Sequence, residues 1–154
     1  MKIISTFALC LICIQIHACN NNTEIKQVKN SDNHTIADSM KLKIKIGNHI
    51  FTATLYNHPT AFAFKAKLPI KINMTELNGN EKYFDLTDDL PTNASKPGTI
   101  NAGDLMLYGS TTIVLFYKTF SSSYSYTPLG RIENPSGLAA ALGSGNVTVL
   151  FELD

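Results

Sequence analysis

Leu42-Lys43-Ile44-Lys45-Ile46-Gly47-Asn48-His49-Ile50-Phe51-Thr52-Ala53-Thr54-Leu55 is the stretch whose reading decides the fold. Leu42, Ile44 and Ile46 recur at every second position with lysines between them. After Gly47-Asn48, Phe51, Ala53 and Leu55 repeat the pattern with threonines between them. A strand turns successive side chains to opposite faces, so each run has one apolar and one polar face, and Gly47-Asn48 supplies the tight turn of a β-hairpin.

The same two-residue period continues towards the C-terminus. Asn57-His58-Pro59 precedes a short helix carrying Ala61, Phe64 and Leu68, which ends before Pro69. Ile70, Ile72 and Met74 alternate again, Asn78-Gly79-Asn80 makes a turn, and residues 82–86 read as the next strand. A polar, proline-containing loop is expected over residues 87–101. Two central strands, 104–108 and 111–118, meet at Gly109-Ser110, and 121–127 reads as loop or irregular edge. A brief strand over 129–133 leads to Asn134-Pro135, expected to cap a second helix that carries Leu138 and Leu142 and stops at Gly143; residues 147–153 form the last strand. Seven or more short strands with two brief helices predict a mainly β protein, a closed antiparallel barrel with the helices covering its ends.

Upstream of this domain, residues 40–154, the chain has a different character. Lys2 is followed by an apolar run, Ile3 to Ile14, too short for a stable membrane span and suited to a signal peptide over residues 1–18. Ile16-His17-Ala18-Cys19 resembles the bacterial lipobox, which implies cleavage before Cys19 and a diacylglycerol thioether on its sulfur, with His17 an unusual residue at its position. Each buried methylene of such an anchor stabilises attachment by about 0.8 kcal/mol. An ordinary secretory signal cut near Ala18 would leave Cys19 as a free thiol; on either reading the protein is exported. Residues 20–39 are rich in Asn, Asp, Ser and Lys without apolar periodicity, the composition of a flexible tether. Asn20 is not the aspartate that retains lipoproteins in an inner membrane, which points to the periplasmic face of the outer membrane where the cell has one.

Composition excludes several function classes. Cys10 and Cys13 leave with the signal and Cys19 is taken by lipid, so the domain has no thiol for disulfides, nucleophilic catalysis or metal binding. The charges balance without a basic stripe, which argues against nucleic acid as a partner. His49 in a turn and His58 at a helix start read as solvated, and Asp85, Asp88 and Asp89 as a solvated acidic turn. No metal site or cofactor is expected, and the domain reads as a monomer.

The order and spacing of Pro59-Thr60-Ala61-x-x-Phe64, Gly103-Asp104-Leu105, Ile113-Val114-Leu115-Phe116-Tyr117, Leu129-Gly130-Arg131-Ile132 and Gly137-Leu138 resemble the bacterial cyclophilin-like domain, over residues 41–153. An unrelated small β-barrel with ordinary turn residues is the competing reading. The resemblance implies a groove for a peptide or small molecule. In the enzymes of this type an arginine donates a hydrogen bond that weakens amide resonance in an X-Pro bond. The corresponding region here, Glu81-Lys82-Tyr83-Phe84-Asp85-Leu86, has no arginine, and Arg131, the only arginine in the chain, falls in the Gly-Arg-Ile strand instead. Lys82 reads as a solvated strand residue, and an ammonium lacks the planar fork of guanidinium.

By rough alignment the groove would be lined by Leu107 and Tyr108, by Phe116 or Tyr117, by Tyr124 and Tyr126 where the enzymes place Trp and His, and by Tyr83 and Phe84 beside the missing arginine. Aromatics with a polar tip suit such a cleft, although the same residues could simply fill the barrel. No catalytic residue is assigned. The expected function is a membrane-tethered binding module of the cell envelope, with weak peptidyl-prolyl isomerase activity as the alternative.

Overall fold

The computed structural model describes residues 40–154; the expected signal peptide, Cys19 and the tether lie outside the described residues. The first hairpin is β1 (Lys41–Ile46) and β2 (His49–Leu55), antiparallel with Ile44 opposite Phe51, and it turns at residues 47–48 as the sequence predicts. On its other edge β1 pairs with β10 (Val147–Leu153), where Ile44 lies opposite Phe151.

The remaining barrel strands are β3 (Ile70–Leu77), β4 (Glu81–Asp85), β6 (Asp104–Tyr108), β7 (Thr112–Phe116) and β9 (Thr127–Ile132). They close a fully antiparallel barrel in the order β1-β10-β3-β4-β7-β6-β9-β2. Closure leaves none of these strands with an open edge. It also demands a close approach of β2 to β9. A Cβ on Gly130 would lie 2.5 Å from the Thr54 carbonyl oxygen, so the strands meet there only because residue 130 is glycine.

Alternation decides what enters the barrel. Leu42, Ile44 and Ile46 from β1, Leu105 and Leu107 from β6, and Ile113 and Leu115 from β7 are almost wholly buried in one interior cluster. Helix α1 (Pro59–Lys65) adds Ala61 and Phe64, the latter edge-on to Phe151 at 5.8 Å, and α2 (Leu138–Leu142) adds Leu138 and Leu142. The half-buried His58 is the N-cap of α1: its Nδ1 accepts a 3.4 Å hydrogen bond from the Ala61 N–H, a role the solvated reading of this residue missed. Asn134 differs from expectation as well. Its Oδ1 accepts from the Ser136 N–H, closing a turn before the helix, while Gly137 in left-handed conformation is the N-cap of α2.

A segment expected as loop, and one expected as loop or irregular edge, contain strands. β5 (Gly98–Ile100) and β8 (Phe120–Ser122) pair as a separate two-stranded strap, with Ile100 opposite Phe120, and Ser95 bridges Tyr126. The outward residues of the central strands, Met106, Val114 and Phe116, join Ile100 and Tyr126 in a second apolar cluster with Phe120 packed against it. The fold thus buries apolar surface on both sides of β6 and β7. Among the described residues no helix is long and apolar enough to cross a membrane.

Candidate functional site

Val114 and Tyr126 of the second apolar cluster, with Phe120 packed against it, line a cleft of about 390 Å³ on the outer surface of the barrel. β4 contributes Glu81 and Tyr83, β6 contributes Tyr108, and the chain after β8 contributes Tyr124 and Tyr126. Tyr126 is 7% exposed and lies edge-on to the buried Phe116 at 5.5 Å, whereas Tyr108 and Tyr124 are 47% and 63% exposed and meet edge-to-face at 6.3 Å. Tyr108 also leans on Tyr126 at 5.5 Å. Burial first, and then the Glu81 charge, push the Tyr126 phenol above its ordinary pKa, so it stays a neutral hydrogen-bonding group.

Of the eight aromatic and aliphatic residues expected in a groove, Tyr83, Tyr108, Tyr124 and Tyr126 line this cleft and Phe116 lies in the apolar cluster beneath it. Phe84, Leu107 and Tyr117 instead pack against the barrel interior. The reason is the strand period. Tyr83 and Phe84, Leu107 and Tyr108, and Phe116 and Tyr117 are adjacent pairs, and adjacent strand residues face opposite sides of a sheet.

The same rule overturns the expectation for Lys82. It is 0% exposed, on the inner face of β4 opposite Leu115. Its Nζ donates to the Gly143 and Gly145 carbonyls at 2.9 and 2.7 Å and to the Glu76 carboxylate. The Tyr117 hydroxyl closes the cluster on Glu76 at 2.8 Å, with the Lys82 ammonium 5.5 Å from the Tyr117 ring centre. Burial alone would raise the Glu76 pKa, but hydrogen bonds from Lys82 and Tyr117 outweigh it and hold the carboxyl below its ordinary value. Burial and the Glu76 hydrogen bond push Tyr117 up to about 12. Lys82 ties β3 and β4 to the connection between α2 and β10, and it does not reach the outer cleft.

Glu81, its neighbour in sequence, has the opposite environment. It is 8% exposed and lines the cleft, and among the described residues no hydrogen bond or ion pair reaches its carboxylate. Burial, assisted by the Glu76 charge, raises its pKa. Sequence reading missed this residue. The available signal was its two-residue spacing from Tyr83, which puts both side chains on one face.

Arg131 stands in a different depression of about 490 Å³, bordered by Tyr56, His58, Met106 and Asp104. Its Nε lies 3.5 Å from Asp104 Oδ1, while Asp104 Oδ2 accepts a 2.7 Å bond from the Asn101 N–H. The aromatic cleft is lined without any lysine, arginine or histidine. Asp85, Asp88 and Asp89 take Thr112, Lys67 and Ser110 as separate partners, and no group of metal-ligating side chains is found among the described residues.

A closed eight-stranded antiparallel barrel with two short helices and an outer cleft defines a cyclophilin-type fold. The sequence profile of the Cyclophilin-like family matches residues 44–152, and the chain belongs to that family. Among solved structures it is similar to the solution structure of the hypothetical protein AF2241 from Archaeoglobus fulgidus, with 22% identity and a TM-score of 0.57 over 75% of this chain and 95% of that one. That likeness is one of fold. No curated protein sequence matches the chain.

Proposed function

We propose that this protein is a binding module of the cell envelope, held to a membrane by lipid on Cys19, that captures a peptide or small molecule without efficient prolyl isomerisation. The observation that carries the reading is the composition of the outer cleft: four tyrosines and a buried carboxylate, with no guanidinium to polarise an X-Pro amide. The sole arginine is engaged by Asp104 in another depression, and the lysine beside the cleft residues is committed to the barrel interior. Fold alone does not confer the family's chemistry.

A protease-coupled proline-peptide assay tests this. Spontaneous isomerisation takes tens of seconds, and the protein at catalytic concentration is expected to leave that rate unchanged. Family membership favours a weak peptidyl-prolyl isomerase as the second reading, and a protein-dependent acceleration that scales with concentration would establish it. The anchor is tested separately: Cys19→Ser is expected to abolish lipid labelling and membrane fractionation while the barrel folds unchanged. Export to the periplasmic face of an outer membrane, where the cell has one, and a monomeric domain that does not bind nucleic acid complete the proposal.

A further inference from the structure

Every other acidic side chain among the described residues has a hydrogen-bond or ion-pair partner: Glu76, Asp85, Asp88, Asp89 and Asp104 on the loops and central strands, and the three acidic residues near the ends of β9 and β10. Glu81 has none, although it is among the most buried of them. A carboxylate largely removed from water, with contact left only to the cleft solvent and no donor from the protein, is held at a cost. The fold keeps it at the wall of an open cleft, where a donor could arrive from outside. Asn80, at the same rim, has its Oδ1 buried and without a partner.

The surroundings select the donor. Tyr83, Tyr108 and Tyr124 present aromatic rings, whose faces carry negative electrostatic potential and attract cations. Asp85 adds a second carboxylate to the lining, and no positive side chain opposes it. An anionic ligand would meet repulsion here, and a neutral apolar one would leave Glu81 without a donor. A quaternary ammonium would suit the rings yet offer no N–H to the carboxylate. Among the described residues Glu81 and Asp85 have no third metal-ligating side chain beside them, too few ligands for a divalent ion.

Resting on the reading of this cleft as the ligand site, we propose that it binds a hydrogen-bond-donating organic cation, an alkylammonium, with Glu81 as its counter-ion and the tyrosine rings as its walls. That ammonium is carried either by a lysine side chain of a peptide or by a free amine. The apolar floor of Val114 and Tyr126 receives the methylene stem.

The test titrates the full chain at neutral pH with acetyl-Gly-Lys-Gly-amide, the same peptide with norleucine for lysine, n-butylammonium and n-butanol, read by NMR shifts of the cleft tyrosines. The lysine peptide is expected to bind at least tenfold more tightly than the norleucine peptide, and butylammonium more tightly than butanol. Glu81→Gln should bring both ratios near one, while Tyr108→Ala weakens all four probes. A lysine peptide much tighter than butylammonium identifies a polypeptide source, and equal affinities a free amine. Equal binding of lysine and norleucine peptides, or ratios unchanged in Glu81→Gln, overturns the cation assignment and leaves the binding module standing. Unmoved cleft tyrosines with every probe overturn both.

Discussion

Lys82 and Glu81 are neighbours on β4, both are withdrawn from solvent, and the barrel treats them in opposite ways. Turned inward, Lys82 finds a carboxylate and two backbone carbonyls; turned outward, Glu81 finds tyrosine rings and no donor. A buried charge that is fully hydrogen-bonded works within the fold, as a fastening between elements distant in sequence. A largely buried charge left without a protein donor beside an open cleft is a place where the proposed ligand would supply one. One strand thus carries a structural face and a proposed recognition face, separated by a single residue of register.

The sharpest way to break this contrast is to remove the inner charge. Lys82→Met leaves Glu76 with only Tyr117 and the Gly79 N–H, and leaves the Gly143 and Gly145 carbonyls without their donor. Because Glu76 keeps partial solvent contact, the loss is that of hydrogen bonds to a charged group, about 1.5–3 kcal/mol, expected here as a lowered urea midpoint with an unchanged slope. A cost below about 1 kcal/mol, the range of exposed ion pairs, would mean that Lys82 is not the fastening its contacts describe. Tyr117→Phe comes next, at about 1.5 kcal/mol for a hydrogen bond to a charged acceptor. Because Tyr117 and Lys82 share Glu76, the double variant should lose less than the sum of the two.

Legibility in the sequence divides along the same line. The hairpin at residues 42–55 and the central strands could be read because Leu42, Ile44 and Ile46, like Ile113 and Leu115, put a purely apolar face on a two-residue period, and the barrel is what buries that face. Lys82 could not be placed by that rule alone. Its partners are Glu76, opposite it across the β3–β4 turn, and the Gly143 and Gly145 carbonyls, more than sixty residues away, and nothing local shows that those carbonyls close over the lysine. The β5–β8 strap was hidden for a related reason: strands of three residues in polar, Ser- and Tyr-rich sequence have no periodicity to detect, and only their pairing defines them. Only half of the expected groove residues line the cleft, because strict alternation separates Tyr83 from Phe84 and Tyr108 from Leu107.

The outer face gives the smallest effect and the most informative sign. Glu81 has a raised pKa, so the folded protein holds that proton more tightly than the unfolded chain. Between the ordinary glutamate value and the folded one, the native state binds more protons, and stability falls as pH rises through that window. Glu76 has a lowered pKa and the opposite sign: its contribution is complete above the ordinary glutamate value and is lost as pH falls through the folded one. Glu81→Gln removes only the first effect. The variant should match the wild type below the window and exceed it at neutral pH, as read from urea midpoints across pH. A saturating alkylammonium reverses the order, because only the wild-type carboxylate gains its counter-ion and ligand that binds the native state alone stabilises it. A difference between the two proteins that does not vary with pH would show that Glu81 is not ionising in a desolvated site, and the contrast between the two faces of β4 would fail on its outer side.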